Sequence, residues 1–119
     1  MSDFDNDLQS IQEARTLAAQ AREAQRKFLH APQAEVDRIC AAMAQAAAEA
    51  SVRLGALANE ETGYGVPEHK TLKNLLSSQL LWEAIKDIPT VGLIRSDPLK
   101  RTYEIAWPMG VVAALTPST

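Results

Sequence analysis

The chain has 119 residues, 46% of them apolar and 23% charged, with a formal net charge of −3 at pH 7. That length is usual for a single domain. The composition excludes a disordered segment, a basic nucleic-acid arm, a disulfide framework and a membrane span. Apolar residues are too many, the charges too balanced, cysteine occurs once, and no apolar run nears the ~20 residues that a span needs. Met1 to Asp7 is acidic with no basic n-region, so no signal peptide is expected and the cytoplasm is the default location.

The apolar content is lopsided. Twenty residues are alanine and six are aromatic. Alanine favours helix but buries little surface, so the apolar fraction overstates the core that these residues can build alone.

Helical spacing runs through residues 1–88. Leu8, Ile11, Ala14, Ala18, Ala21 and Phe28 make one face of a first helix from about Asp7 to Leu29. His30-Ala31-Pro32 ends it, because proline disfavours helical geometry in the residue before it. Pro32 also suits the first turn of a second helix. That helix carries Val36, Ile39, Cys40, Met43, Ala47, Ala50, Leu54 and Leu57, and seven of the ten residues 41–50 are alanine. Gly63 is placed to close it in the left-handed conformation, and Gly55 marks either a break or a close packing point. Val66-Pro67 opens a third helix with Glu68 in its first turn, and Leu72, Leu75, Leu76, Leu80 and Ile85 form its apolar side. Pro89 closes it.

The period then changes to two. Val91–Ile94 reads as a short strand, Asp97-Pro98 as a turn, and Arg101–Trp107 as a second strand, together a β-hairpin. Pro108-Met109-Gly110 turns again. Val111–Leu115 is unbroken apolar, the pattern of a strand covered on both faces.

Chemistry-bearing residues are sparse. The end of the last strand, Thr116-Pro117-Ser118-Thr119, offers three hydroxyls where α/β sheets bind ligands, though a plain strand exit explains the same residues. Cys40, on an apolar helix face, reads as buried and inert rather than as an activated thiol. His30 and His69 read as surface or cap residues. Glu60-Glu61, a formal candidate for a general base pair, reads as solvated. No phosphate loop, dinucleotide fingerprint or metal-ligand spacing occurs, so no metal site and no complete active site is expected from the residues alone.

Three stretches are more specific: Glu60-Glu61-Thr62-Gly63-Tyr64-Gly65-Val66, Lys70-Thr71-Leu72-Lys73-Asn74, and Trp107-Pro108-Met109-Gly110-Val111-Val112-Ala113-Ala114-Leu115-Thr116-Pro117-Ser118-Thr119. In this order and spacing the chain resembles the N-terminal part of the CoA-acylating aldehyde dehydrogenases, within the aldehyde dehydrogenase superfamily. Ala14-Arg15-Thr16-Leu17 and Thr90-Val91-Gly92 fit the same pattern, which covers about Leu8 to Thr119.

The resemblance implies an α/β, aldehyde dehydrogenase-like fold, of which this is the N-terminal part only: three helices, a β-hairpin and the first strand of a Rossmann-like cofactor domain. Residues 1–89 would be the helical part of the cofactor-binding domain, 90–108 a bridging hairpin used to form a homo-oligomer, and 109–119 the first inner strand of the sheet. The implied reaction takes an aldehyde, CoA and NAD(P)⁺ to acyl-CoA and NAD(P)H, reversibly, through a cysteine thiohemiacetal and thioester. NAD or NADP would be the cofactor and coenzyme A the co-substrate.

Thr116, Pro117, Ser118 and Thr119 would approach the cofactor. In the family, an oxyanion-holding asparagine directly follows the matched Pro-Ser-Thr stretch, and the catalytic cysteine lies far downstream; Cys40 does not match it. The 119 residues are therefore expected to hold no catalytic residue and to be inactive alone. No added helix of the kind that packages some members into microcompartments is expected, nor is a nucleic-acid or membrane partner. The competing reading is a non-catalytic helical assembly module whose strand tail adds to a partner's sheet.

Overall fold

A computed structural model describes residues 5–115. Helix α1 spans Asn6–Phe28, α2 Gln33–Glu49, α3 Ser51–Thr62 and α4 Pro67–Leu75; a π-helical turn, Leu76–Leu80, leads into α5, Leu81–Ile85. Strands β1, Gly92–Asp97, and β2, Thr102–Ala106, pair antiparallel.

Local chemistry explains most boundaries. Asp5 caps α1, its Oδ1 accepting from the Asp7 N–H at 3.1 Å. Pro32 is extended and stands just before α2. Pro67 occupies the first position of α4, after an extended Val66. Gly63 closes α3 at φ 68°, its N–H donating to the Asn59 carbonyl at 2.8 Å.

The single second helix expected from the sequence is two, α2 and α3, joined at Ala50. Ala50 has ψ −6°, and its N–H still reaches the Ala46 carbonyl, so the axis bends rather than unwinds. The bend lays α3 along α4. Gly55 is the close packing point there, not the break: an added Cβ would stand 2.7 Å from Thr71 Oγ1 and 2.9 Å from the Pro67 carbonyl oxygen. The expected third helix is interrupted too. The Ser77 and Ser78 hydroxyls donate to the Asn74 carbonyl at 3.2 and 2.6 Å, competing with the backbone ladder and widening the next turn.

In the hairpin, Leu93 faces Ile105 and Ser96 faces Tyr103, with a bulge between Leu93 and Arg95. Asp97 Oδ1 accepts from the N–H groups of Leu99 and Lys100, both at 3.0 Å, which shapes the turn. Arg95 pairs with Glu104 across the strands at 3.0 Å.

The strand expected at Val111–Leu115 does not form. A strand exists by its ladder, and no neighbouring strand is there to supply one. Val112 and Leu115 are 75% and 100% exposed.

Among the described residues no apolar side chain is fully buried. The chain exposes 10108 Å², against ~6,300 Å² for a compact monomer of its mass. Its radius of gyration is 19.5 Å, against ~13.5 Å for a compact domain of 119 residues. Helix α1 packs broadly against no other element. The apolar fraction does overstate the core, as the alanine-rich composition leads one to expect.

Candidate functional site

The cofactor-approaching residues expected from the sequence, Thr116, Pro117, Ser118 and Thr119, lie outside the described residues. The stretch that leads to them starts at Trp107, turns at Gly110 with φ 98°, and runs on through Leu115 without regular structure.

The Glu60–Val66 and Lys70–Asn74 stretches meet at one joint. Asn59 Nδ2 donates to the carbonyls of Tyr64, at 3.3 Å, and Gly65, at 2.7 Å. Thr62 Oγ1 donates to the Ala58 carbonyl at 2.6 Å and accepts from the Tyr64 N–H at 3.2 Å. Gly65 takes φ 75°, and an added Cβ would stand 3.0 Å from Lys70 Cε. On the facing helix, Thr71 Oγ1 donates to the Pro67 carbonyl at 3.0 Å and Asn74 Nδ2 to the Ser51 carbonyl at 3.3 Å. These motif side chains hold backbone in place. Their arrangement sets the α3–α4 packing and leaves no pair of groups poised for proton transfer. Asn59 was not singled out by spacing, because an amide inside a helical pattern gives no periodic signal.

Glu60 and Glu61 are both exposed, as expected of solvated carboxylates. Cys40 is half-buried rather than buried. It lines a shallow groove between α2 and the π-turn and α5, with Met43, Ala47, Ser78, Trp82 and Ile85. Nothing lining that groove is a base that would activate a thiol. His69 is exposed. His30 meets Trp107 edge-on, with ring centroids 6.0 Å apart.

Charge pairs lie on the surface. The Arg38 guanidinium forks onto Glu35, at 2.6 and 2.9 Å, and holds that carboxyl below its ordinary value, chiefly through the hydrogen bond. Glu83, accepting from Lys86 at 2.6 Å, raises the Lys86 ammonium above its ordinary value. Among the described residues no group of three or more His, Cys, Asp and Glu is placed to hold a metal ion. No helix there is long and apolar enough to cross a membrane.

For a dinucleotide or CoA, the described residues do not make a fit. The groove beside Cys40 is mostly apolar, and the two-glycine turn that opens onto α4, Gly63–Val66, has its Tyr64 and Gly65 carbonyls held by Asn59 and is followed by Pro67, which brings no N–H to a pyrophosphate.

No protein-family model matches the chain. Similar proteins are nonetheless specific. The chain is 34% identical over 110 residues to the bifunctional aldehyde-alcohol dehydrogenase of Escherichia coli (strain K12), covering 92% of this chain and 12% of that protein. It is 42% identical over 105 residues to the acylating sulfoacetaldehyde dehydrogenase of Cupriavidus necator, covering 87% and 21%. The crystal structure of an acetylating aldehyde dehydrogenase from Geobacillus thermoglucosidasius superposes with a TM-score of 0.82 at 48% identity, over 85% of this chain and 22% of that one. The chain thus spans less than a quarter of the length of each protein it matches here. With this agreement of sequence and fold along most of its length, the chain corresponds to an N-terminal part of the acylating aldehyde dehydrogenases.

Proposed function

We propose that these residues serve as the N-terminal part of an enzyme that converts an aldehyde, CoA and NAD(P)⁺ to acyl-CoA and NAD(P)H, reversibly, in the cytoplasm. The observation that carries this reading is the likeness to acylating enzymes at 34–48% identity over most of the chain. The surface supports it as well. An excess of ~3,800 Å² over a compact monomer is more than one side of most permanent interfaces buries, roughly 1,000–2,500 Å², so the helices suit a role against further protein.

Within that enzyme, residues 1–89 supply helices that lie against a cofactor sheet, and Val111–Leu115 becomes a strand once neighbours pair with it. Thr116, Pro117, Ser118 and Thr119 then approach NAD or NADP at the strand's end. The hairpin of residues 90–108 meets a second copy of the chain: its exposed Leu93, Tyr103 and Ile105 are a face without a cover. By themselves the 119 residues are inactive, since Cys40, the single thiol, has no activating base in its groove.

The test is a spectrophotometric assay of the intact protein with a short aldehyde and NAD⁺ or NADP⁺. Reduction of the nicotinamide that requires CoA supports the reading. Equal turnover without CoA overturns it.

A further inference from the structure

The hairpin is tied to the helical body at its roots. Gln33 opens α2. Its Oε1 accepts from the backbone N–H groups of Thr90, at 2.8 Å, and Val91, at 3.0 Å. Its Nε2 donates to Thr90 Oγ1 at 3.0 Å and to Asp37 Oδ1 at 2.8 Å. The amide thereby uses two donors and two acceptor positions, its full capacity. Contacts of this kind between residues 57 and 58 positions apart are not helix or turn bonds. They join two separate elements.

The return root is held from the same place. Trp107, one residue past β2, meets the His30 ring edge-on at an interplanar angle of 74°. His30 lies in the turn between α1 and α2 and Gln33 directly follows it, so one short segment grips both ends of the hairpin. Between these roots the hairpin packs broadly on no helix. Leu93, Tyr103 and Ile105 are 60%, 70% and 63% exposed. A two-stranded ribbon without a covering layer is marginal by itself, and its direction is set where it is attached.

We propose that Gln33 is a positioning residue: its amide fixes the angle at which the hairpin leaves the helical body, and so the geometry in which the hairpin meets a second copy of the chain. The inference rests on the hairpin reading given above. A ribbon held at one angle loses less freedom when it docks, and the saved ordering cost appears as affinity.

The test uses the intact protein and two variants. Gln33→Met keeps the side chain's length and removes its hydrogen bonds. Gln33→Glu, made together with Asp37→Asn so that two carboxylates do not meet, keeps the acceptor for Thr90 and Val91. Spin labels at Ser96→Cys and Gln45→Cys, with Cys40→Ser and every other cysteine of the intact protein replaced by serine, report the spread of hairpin-to-α2 distances, and sedimentation reports self-association. Gln33→Met is expected to broaden the distances and weaken association ~10-fold, while Gln33→Glu stays within ~3-fold of the parent. Ile105→Arg, on the exposed hairpin face, separates the two claims. If it leaves association intact, the hairpin reading falls and the second-copy claim with it. If it breaks association while Gln33→Met leaves the distances unchanged, the assignment to Gln33 alone falls. Broadened distances with undiminished association overturn the link between angle and assembly.

Discussion

Thr71 leaves no room for a side chain on Gly55: a Cβ there would lie 2.7 Å from Thr71 Oγ1 and 3.0 Å from the Thr71 amide nitrogen. Alanine would gain about 1 kcal/mol of helix propensity at this position. Overpacking against backbone costs typically ~1–3 kcal/mol, and here the backbone of Pro67 and Thr71 cannot swing aside as a side chain would. Gly55→Ala is therefore expected to lower the thermal midpoint of the intact protein. Ala56→Gly, one position along on an exposed face, should cost only the propensity difference, and calorimetry of both separates packing from propensity.

Asn74 joins α4 to the α2–α3 bend through the Ser51 carbonyl, at 3.3 Å, and Ser51 is 3% exposed. Asn74→Ala leaves that buried region one donor short. The expected loss is about 1 kcal/mol, read as a shift in the denaturant midpoint with an unchanged slope.

Two residues of the hairpin turn are expected to respond differently to substitution. Asp97→Ala removes the acceptor that holds the Leu99 and Lys100 N–H groups and is expected to cost about 1 kcal/mol. Arg101 sits at φ 54°, where a side chain costs about 1 kcal/mol that glycine does not. Arg101→Gly removes that strain and adds freedom to the unfolded chain, so it should be close to neutral. Amide hydrogen exchange across β1 and β2 reads both, with faster exchange expected in Asp97→Ala alone.

The Arg38 guanidinium, hydrogen-bonded to the ionised Glu35 carboxylate, holds that carboxyl below its ordinary value. A carboxyl depressed by folding contributes stability above its unfolded value, and loses it as pH falls through the lower folded value. The pair therefore helps the first turn of α2 at neutral pH and ceases to help in acid, below the ordinary carboxylate range. In an NMR titration the Glu35 midpoint is expected below that of an ordinary glutamate, and back at the ordinary value in Arg38→Ala.

Helix ends were legible where one residue carries the geometry. Pro67 and Gly63 mark a start and a stop through their backbone limits, and Asp97-Pro98 marks the turn. Gly55 was legible only as an alternative, because a break and a close contact both call for a missing side chain; the position of Thr71 decides between them. The bend at Ala50 and the π-turn were not legible. Alanine has no preference for bending, and the serine hydroxyls act on a carbonyl one turn away. Gln33 gave no signal, since its partners lie 57 and 58 residues further on. Val111–Leu115 reads as a strand by composition, but a ladder needs neighbours that this stretch of chain lacks. The motif residues around Gly63 and Lys70 were read through a family likeness, and their observed work is to seat α3 on α4. Thr116 to Thr119 lie outside the described residues, so that part of the site rests on the sequence.

The most direct measurement is the identity of the product. The intact protein, incubated with acetaldehyde, CoA and NAD⁺ or NADP⁺, is expected to yield acetyl-CoA with one reduced nicotinamide per thioester, detected by mass spectrometry. Free acetate formed with the CoA left unacylated would contradict the account.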